Sequence, residues 1–161
     1  MSISLSPAED ANLGFVPSPS GSGEVVLSVD EKAIISFFGC DDTQTPYRDL
    51  GRVAVVCEAV LALKHGYPND EPRSSIPNFK SINSQDIYIP IAKILNSDWA
   101  NKISQDNRHK FPETDFASHG LKHLVFQFKE STAQVLCQDY RVKMNLDWDS
   151  FFDFSKEELY G

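Results

Sequence analysis

The densest set of side chains that could do chemistry lies in one short polar segment. An imidazole, a phenol, an amide and two carboxylates occur within seven residues: His65, Tyr67, Asn69, Asp70 and Glu71. The segment opens a stretch, 66–85, that is rich in proline and other turn formers and is predicted to be a long loop. Long loops in compact domains often have a function, so these residues are candidate binding residues. A turn in which Asn69 and Asp70 bond to neighbouring amides is the alternative.

Glu58 is a second candidate because it interrupts the most apolar part of the chain, Val53–Leu63. A buried carboxylate costs several kcal/mol unless a cation such as Arg52 or a lysine pairs with it. Conflicts of this kind sometimes mark active sites, although an ion pair or a position at a sheet edge is the interpretation that we favour.

No motif predicts a catalytic, cofactor-binding or metal-binding residue. The sequence contains no GxxxxGK[ST], GxGxxG, GxSxG or HExxH pattern. His119 and His123 are four residues apart, but the sequence after Gly120 alternates like a strand, where four residues span about 13 Å. We therefore predict that these histidines do not share an ion. Cys40 is followed by two aspartates, which predicts a poor nucleophile.

Composition excludes several classes of protein. The 161 residues are 41% hydrophobic and 24% charged, as in soluble globular domains, and 15 basic against 23 acidic side chains give a net charge of −8. This acidity argues against a partner that is nucleic acid or an anionic membrane. The first residues lack the features of a signal peptide, and three separate cysteines suggest reduced thiols, so we expect a cytoplasmic protein.

The pattern of residues predicts an α+β fold with about six mostly antiparallel strands in a twisted sheet or small sandwich. Residues 1–23 are predicted to be an extended Ser/Pro/Gly-rich arm, and residues 24–161 a single globular domain. Asp30-Glu31 is the predicted turn of a hairpin. Residues 52–64 suit a central strand better than a buried helix, and one main helix is expected at 97–108.

Two strands near the C-terminal end carry the predicted core. Leu124, Phe126 and Phe128 share one face, and an unbroken alternation from Tyr140 to Trp148 places Val142, Met144 and Leu146 inside. The last residues, 149–161, are both acidic and aromatic, and are expected to form a short helix or a docking tail.

These observations favour a non-enzymatic module that binds a protein with a basic surface, in the manner of inhibitors and immunity proteins. One alternative is a small enzyme or ligand-binding protein that uses Glu58 with the His65–Glu71 loop. Another is a structural subunit that self-associates into a homo-oligomer. No cofactor is expected.

Overall fold

The computed structural model describes residues 7–73, 75–76, 79–110 and 120–161, which form a mostly antiparallel α+β fold. Its elements are β1 (Ala8–Asp10), β2 (Val16–Pro17), β3 (Val25–Val29), β4 (Lys32–Asp41), β5 (Arg48–Gly66), α1 (Asp70–Arg73), β6 (Ile91–Ile94), α2 (Asp98–Lys110), β7 (Lys122–Gln127), β8 (Thr132–Leu146) and α3 (Trp148–Tyr160). All eight strands belong to one sheet in the order β1-β6-β7-β8-β5-β4-β2, with β3 also paired to β4.

The sheet is strongly curled, and the N-terminal segment spans the gap between its two edges. β1 pairs with β6 at one edge, and β2 pairs with β4 at the other. In a flat sheet the six strand spacings from β1 to β2 would measure about 29 Å. The six residue steps from Asp10 to Val16 reach at most about 21 Å, so the edges must approach each other.

The main core lies inside this curl. Phe37 of β4 contacts the ring of Phe128 at 5.2 Å between centroids and that of Phe126 at 6.2 Å. Phe15, which lies between β1 and β2, packs edge-on against Phe37 at 5.7 Å. Leu124, Phe126 and Phe128 are buried here, as their alternation predicted.

The two long helices cover the outer face of the sheet. Phe151 of α3 packs on Ile34 and Val56, and Trp99 of α2 packs beside Leu136. α2 lies where the sequence predicted the main helix, and α3 is equally long at 13 residues. Among the described residues, no helix is both long enough and apolar enough to cross a membrane.

The fold differs from the prediction in its number of strands. There are eight rather than about six, because residues 8–10 and 16–17, expected within the extended arm, pair as β1 and β2. β6 begins at Ile91, directly after Pro90, which has no amide proton for a ladder. Residues 52–64 are a strand, and Asp30-Glu31 is a two-residue hairpin turn between Val29 and Lys32.

The predicted inward face of β8 is wrong in its second half. Val142 is 41% exposed and Met144 is only half-buried, while Leu146 is buried. Asn145 has a positive φ of 60°, and the register with β5 shifts between Arg52 and Ala54 opposite it. This bulge reverses the alternation, so Met144 packs on the inner core and Leu146 packs under α3 on the outer face.

Candidate functional site

The predicted binding loop lies at the end of β5, and its side chains differ in exposure. Asn69 is half-buried, and within the described residues its Oδ1 is buried without a hydrogen-bond partner. Tyr67 is 79% exposed, and both Asp70 and Glu71 are exposed at the start of α1. The backbone N–H of Asp70 donates to the carbonyl of Lys129 at 2.9 Å, which joins the loop to the β7–β8 turn. This hydrogen bond anchors the backbone of the loop, from which the side chains of Tyr67 and Asp70 reach solvent.

Arg73 fixes this loop from below. Its side chain is 1% exposed. Its Nε donates to Thr132 Oγ1 at 3.1 Å, and its NH2 group donates to the carbonyls of Phe128, Ser131 (2.9 Å) and Pro68 (3.4 Å). NH2 has two hydrogens for three carbonyls, so the long contact to Pro68 is the weakest. Burial lowers the pKa of Arg73.

His65 takes part in a chain of polar side chains that crosses three segments. Its Nε2 lies 3.0 Å from Ser131 Oγ, and Ser131 Oγ donates to Glu24 Oε1 at 2.7 Å. Ser22 donates to the other carboxylate oxygen of Glu24 at 2.8 Å. Burial raises the pKa of Glu24, but the hydrogen bonds from Ser131, the backbone amide and Ser22 outweigh it and lower the pKa overall.

The order of these hydrogen-bonded side chains does not suit nucleophilic catalysis. In a serine hydrolase the histidine lies between the nucleophile and the acid, and accepts the serine proton. Here Ser131 lies in the middle and gives its proton to Glu24, so His65 must donate Nε2–H to the same hydroxyl oxygen. This series of hydrogen bonds connects the residues just before β3 with β5 and with the β7–β8 turn.

Glu58 is not buried. Its side chain is 40% exposed and makes long ion pairs with Lys32 at 3.9 Å and Arg141 at 3.8 Å. Arg52, the cation named beside it in the sequence, bonds elsewhere. An open groove of about 640 Å³ adjoins Glu58, and no histidine is among the described residues that line it. The favoured interpretation of Glu58, a structural ion pair, agrees with these contacts.

The separation along β5 keeps the two candidate sites apart. Glu58 precedes His65 by seven residues on this strand, which is up to about 23 Å at strand spacing. The structure brings His65, Asn69, Asp70 and their neighbours together around the loop, but it does not bring Glu58 to them.

An aromatic surface that the sequence did not assemble lies at the start of α3. It consists of Phe38, Trp148 and Phe152, whose side chains are 43%, 51% and 62% exposed. The rings of Trp148 and Phe152 stack with an angle of 15° and 5.3 Å between centroids. Because these residues lie four apart on a helix, their side chains share one face.

Arg52 supports this aromatic surface from beneath. Its guanidinium carbon lies 4.4 Å from the centre of the Trp148 ring and 4.6 Å from that of Phe38. The same group donates to Ser36 Oγ and to the carbonyl of Gly23, both at 3.0 Å. Burial lowers the pKa of Arg52, and the π faces of the rings stabilise the charge that remains. The rings are thus held in place before any partner arrives.

Three acidic residues lie at the start of α3, on the same helix as Trp148 and Phe152. Asp147 caps α3 by accepting from the Ser150 amide at 2.8 Å, and these bonds lower the pKa of its carboxyl. Asp149 and Asp153 are exposed on the first two turns of α3. The basic residue of α3 that follows them is Lys156, on the third turn. The surface therefore combines rigid aromatic rings with an excess of negative charge.

His123 is a structural residue rather than a ligand. It is buried between Ser97 Oγ at 2.7 Å from Nδ1 and Gln134 Oε1 at 2.9 Å from Nε2, with Trp99 edge-on to its ring. Burial lowers its pKa to about 4. His119, the second histidine of the pair that was predicted not to share an ion, lies outside the described residues. No group of three or more His, Cys, Asp or Glu in the described ranges is arranged to hold a metal ion.

The three cysteines are free and buried. Burial raises the pKa of the Cys40 thiol, and the nearby Asp42, Asp49 and Asp41 raise it further. This direction agrees with the prediction that Cys40 is a poor nucleophile.

Sequence reasoning missed Phe38 and the role of Arg52, and it missed Glu24. The pair Trp148 and Phe152 carried a readable signal, namely two large aromatics four residues apart after a capping Asp147. Comparison with protein-family models, with curated proteins and with solved structures gives no match.

Proposed function

We propose that this chain is a non-enzymatic module that binds a protein partner with a basic surface, and that it does so through the aromatic surface of Phe38, Trp148 and Phe152. The observation that carries the proposal is the exposure of these three rings, of which Phe38 and Trp148 lie over the buried Arg52 guanidinium and Phe152 stacks on Trp148. Exposed aromatic side chains clustered at one place are the usual anchors of protein interfaces.

Rigidity strengthens this interpretation. The Trp148 ring is fixed between the Arg52 guanidinium and the parallel Phe152 ring. Side chains that are already ordered lose little conformational entropy when a partner binds, so more of the contact energy is retained as affinity.

Charge favours a basic partner. Asp147, Asp149 and Asp153 lie on the same end of α3 as the rings, and the chain as a whole carries −8. Such a field accelerates the approach of a basic surface and repels acidic competitors. The binding therefore weakens with added salt.

The His65–Glu71 loop remains a second predicted contact surface. Tyr67 is its exposed aromatic residue, and Asp70 and Glu71 lie exposed just after it. Changing Asp70 and Glu71 together to Lys is expected to slow association without unfolding the chain, because exposed charges usually contribute under about 0.5 kcal/mol to stability. Unfolding of this variant would instead mean that the two carboxylates cap backbone amides within the loop and are part of its structure.

Photo-crosslinking tests the main proposal. A benzophenone amino acid replaces Phe152, and in a matched control it replaces Tyr160, an exposed aromatic on the same helix outside the aromatic surface. Irradiation in cells is expected to give an adduct at position 152 that is missing at position 160. The captured protein is then purified, and its affinity is measured by calorimetry.

Affinity measurements with the purified partner then test the contribution of Phe152. Phe152→Ala is expected to weaken binding by about tenfold or more, as for an interface anchor, and Tyr160→Ala by less than about twofold. The proposal is overturned if positions 152 and 160 give the same adducts or none, or if the partner binds Phe152→Ala as well as the wild type. An adduct with the mass of two copies of this chain would favour the self-associating subunit instead.

A further inference from the structure

One edge of the sheet is open along β3. On one side β3 pairs with β4 without a register shift, and within the described residues no strand pairs with its other side. The hairpin turn between Val29 and Lys32 has two residues, so these two exchange both of their hydrogen bonds, and the exchange recurs at every second residue of β3. Val26 and Ser28 lie between those positions. Their N–H and C=O groups therefore point away from β4.

The outward groups of Val26 and Ser28 have no partner elsewhere in the described part of the chain. No hydrogen bond outside the β3–β4 ladder reaches their backbone. Ser28 is exposed and Val26 is half-buried. Unpaired N–H and C=O groups along an edge strand form a template on which another extended segment can pair.

The other edge strands carry features that discourage such pairing, whereas β3 does not. β2 has two residues, one of which is Pro17, and β1 has three residues that include Glu9 and Asp10. Short length, proline and charged side chains are the usual protection of an exposed edge. β3 has five residues, with neither a proline nor a charge among them. It is therefore the edge that is suited to accept a further strand.

Charge distinguishes between the possible occupants of this edge. Asp30 and Glu31 form the turn at one end of β3, are both exposed, and make no ion pair within the described ranges. If a second copy paired its β3 antiparallel, with Val26 opposite Ser28, Asp30 would face Glu24 of that copy, which is unfavourable. A basic segment would instead meet opposite charge at the turn.

The other end of β3 leads to the aromatic surface. The carbonyl of Gly23, two residues before β3, accepts from the Arg52 guanidinium that lies beneath Phe38 and Trp148. The open edge therefore extends from an acidic turn to the surface through which the protein partner is proposed to bind.

We propose that β3 accepts an extended segment of the basic protein partner, which adds to the sheet as a further strand with a basic side chain beside Asp30 and Glu31. The proposal rests on the proposed function for the basic character of the partner, and it adds the means by which part of that partner is held. Val26 and Ser28 each supply one main-chain donor and one acceptor to the added strand.

A nitrogen-15 NMR titration of the full chain with a synthetic peptide tests the proposal. The peptide alternates valine and threonine over six residues and carries an arginine at each end, so that either strand direction brings a cation to the acidic turn. The backbone amide protons of Val26 and Ser28 are expected to shift downfield in a saturable manner and to exchange more slowly with solvent, because they gain acceptors. Those of Val25 and Leu27, already bonded to β4, are expected to shift less.

Two control peptides separate main-chain pairing from charge. Methylation of the four central amide nitrogens removes the donors of the peptide but keeps its side chains and its charge. Replacing both arginines by glutamate keeps the donors but reverses the charge. Each control peptide is expected to bind at least about fivefold more weakly than the parent peptide.

Ser28→Pro and Ser28→Thr are a matched pair of variants at the edge. Proline removes the outward N–H and places its ring where the added strand lies, whereas threonine keeps the N–H. The Ser28 amide makes no bond to β4, so both variants are expected to fold, which the dispersion of the NMR spectrum checks. Ser28→Pro is expected to weaken the peptide at least about fivefold, and Ser28→Thr less than about twofold. If Ser28→Pro unfolds, the methylated peptide decides.

Asp30→Asn tests the charge at the turn. Asparagine suits the positive φ of 53° at this position, so the hairpin is expected to be retained. The variant is expected to weaken the arginine peptide about two- to threefold. Asp106→Asn, which removes an exposed carboxylate from α2, is the matched control and is expected to leave the affinity unchanged.

Five results overturn the proposal. They are no saturable shift of the Val26 and Ser28 amides up to about 5 mM peptide, equal binding of the methylated peptide, equal or tighter binding of the glutamate peptide, equal binding by Ser28→Pro and Ser28→Thr, and shifts of the two amides with chain concentration alone, which would assign the edge to a second copy. Crosslinking at position 152 does not involve β3, so failure of the aromatic surface and failure of this edge are distinguishable.

Discussion

Arg52 and Arg73 are both buried, yet they are held by different chemistry at two places in the fold. Arg52 lies against the rings of Phe38, Trp148 and Phe151, with hydrogen bonds to Ser36 and Gly23. Arg73 lies among backbone carbonyls and the Thr132 hydroxyl. In the described part of the chain, neither guanidinium has a carboxylate within ion-pair distance.

The difference lies in what each neighbourhood would lose without its cation. An aromatic ring loses a modest attraction and can pack on an apolar side chain instead. A buried carbonyl left without a donor incurs its full desolvation cost. Arg73 is therefore required for the fold of the loop, whereas Arg52 chiefly orders an exposed aromatic surface.

The largest expected effect comes from Arg73→Met. This change leaves several buried acceptors of the loop and the β7–β8 turn without donors, and is expected to lower the free energy of unfolding by about 3–4 kcal/mol. Urea denaturation followed by circular dichroism measures it. A loss below about 1 kcal/mol would mean that water replaces the guanidinium and that the contrast with Arg52 does not hold.

The next expected effect is a loss of stability at low pH, which comes from His123 and not from the two arginines. Its pKa is lowered to about 4 from 6.5, so the folded chain keeps the ring neutral while the unfolded chain protonates it. The stabilisation is complete above about pH 6.5 and is lost as the pH falls toward 4, by roughly 2–3 kcal/mol. Urea denaturation at pH 7 and pH 4.5 measures this loss.

His123→Phe is the control for that titration. It is expected to be less stable at pH 7, because Ser97 and Gln134 lose a partner, but to depend less on pH. If wild type and variant lose the same stability between pH 7 and pH 4.5, the surface carboxylates cause the loss and not His123.

Arg52→Met is expected to cost less than Arg73→Met, about 1–2 kcal/mol. Met keeps contact with the rings through its thioether, and only the Ser36 hydroxyl and the Gly23 carbonyl lose a donor. Near-ultraviolet circular dichroism is expected to weaken as the Trp148 ring loses its fixed position. Equal costs for the two arginines, measured by urea denaturation, would remove the distinction between them.

The smallest expected effect is that of Glu58→Gln. Its ion pairs with Lys32 and Arg141 are long and partly exposed, so the free energy of unfolding is expected to change by less than about 0.5 kcal/mol. Thermal denaturation at low and high salt measures it. A loss above about 2 kcal/mol would restore Glu58 as a buried, functional carboxylate.

The parts of the fold that sequence could predict are those governed by local periodicity. The alternation of Leu124 and Phe126 places both inside because one continuous strand controls them. Leu146 departs from the same rule, because the bulge at Asn145 turns it to the outer face, and this bulge depends on the register with β5 rather than on the periodicity of the sequence. The buried part of β5 runs only from Arg52 to Cys57, so Glu58 lies just beyond it, and the sequence alone left both a buried carboxylate and an ion pair open.

The candidate site shows the same division. Trp148 and Phe152 could be paired from their spacing on one helix, but Phe38 joins them from a strand 110 residues earlier in the chain than Trp148. Arg52 was named, together with a lysine, as a cation that could pair with Glu58, because nearness in sequence is the sole guide to partners before the sheet is known. Its real partners come from β4, α3 and the segment before β3.

The position of β8 has a consequence for how the chain acquires its structure. β8 is the last strand in sequence, yet it lies between β7 and β5. It joins the strands β1, β6 and β7 to the strands β5 and β4, with β2 and β3 both paired to β4. During synthesis on the ribosome, neither group can complete the inner core until residues 132–146 have emerged. Pairing over such separations closes long loops first, which makes folding slow and leaves apolar strand edges exposed meanwhile.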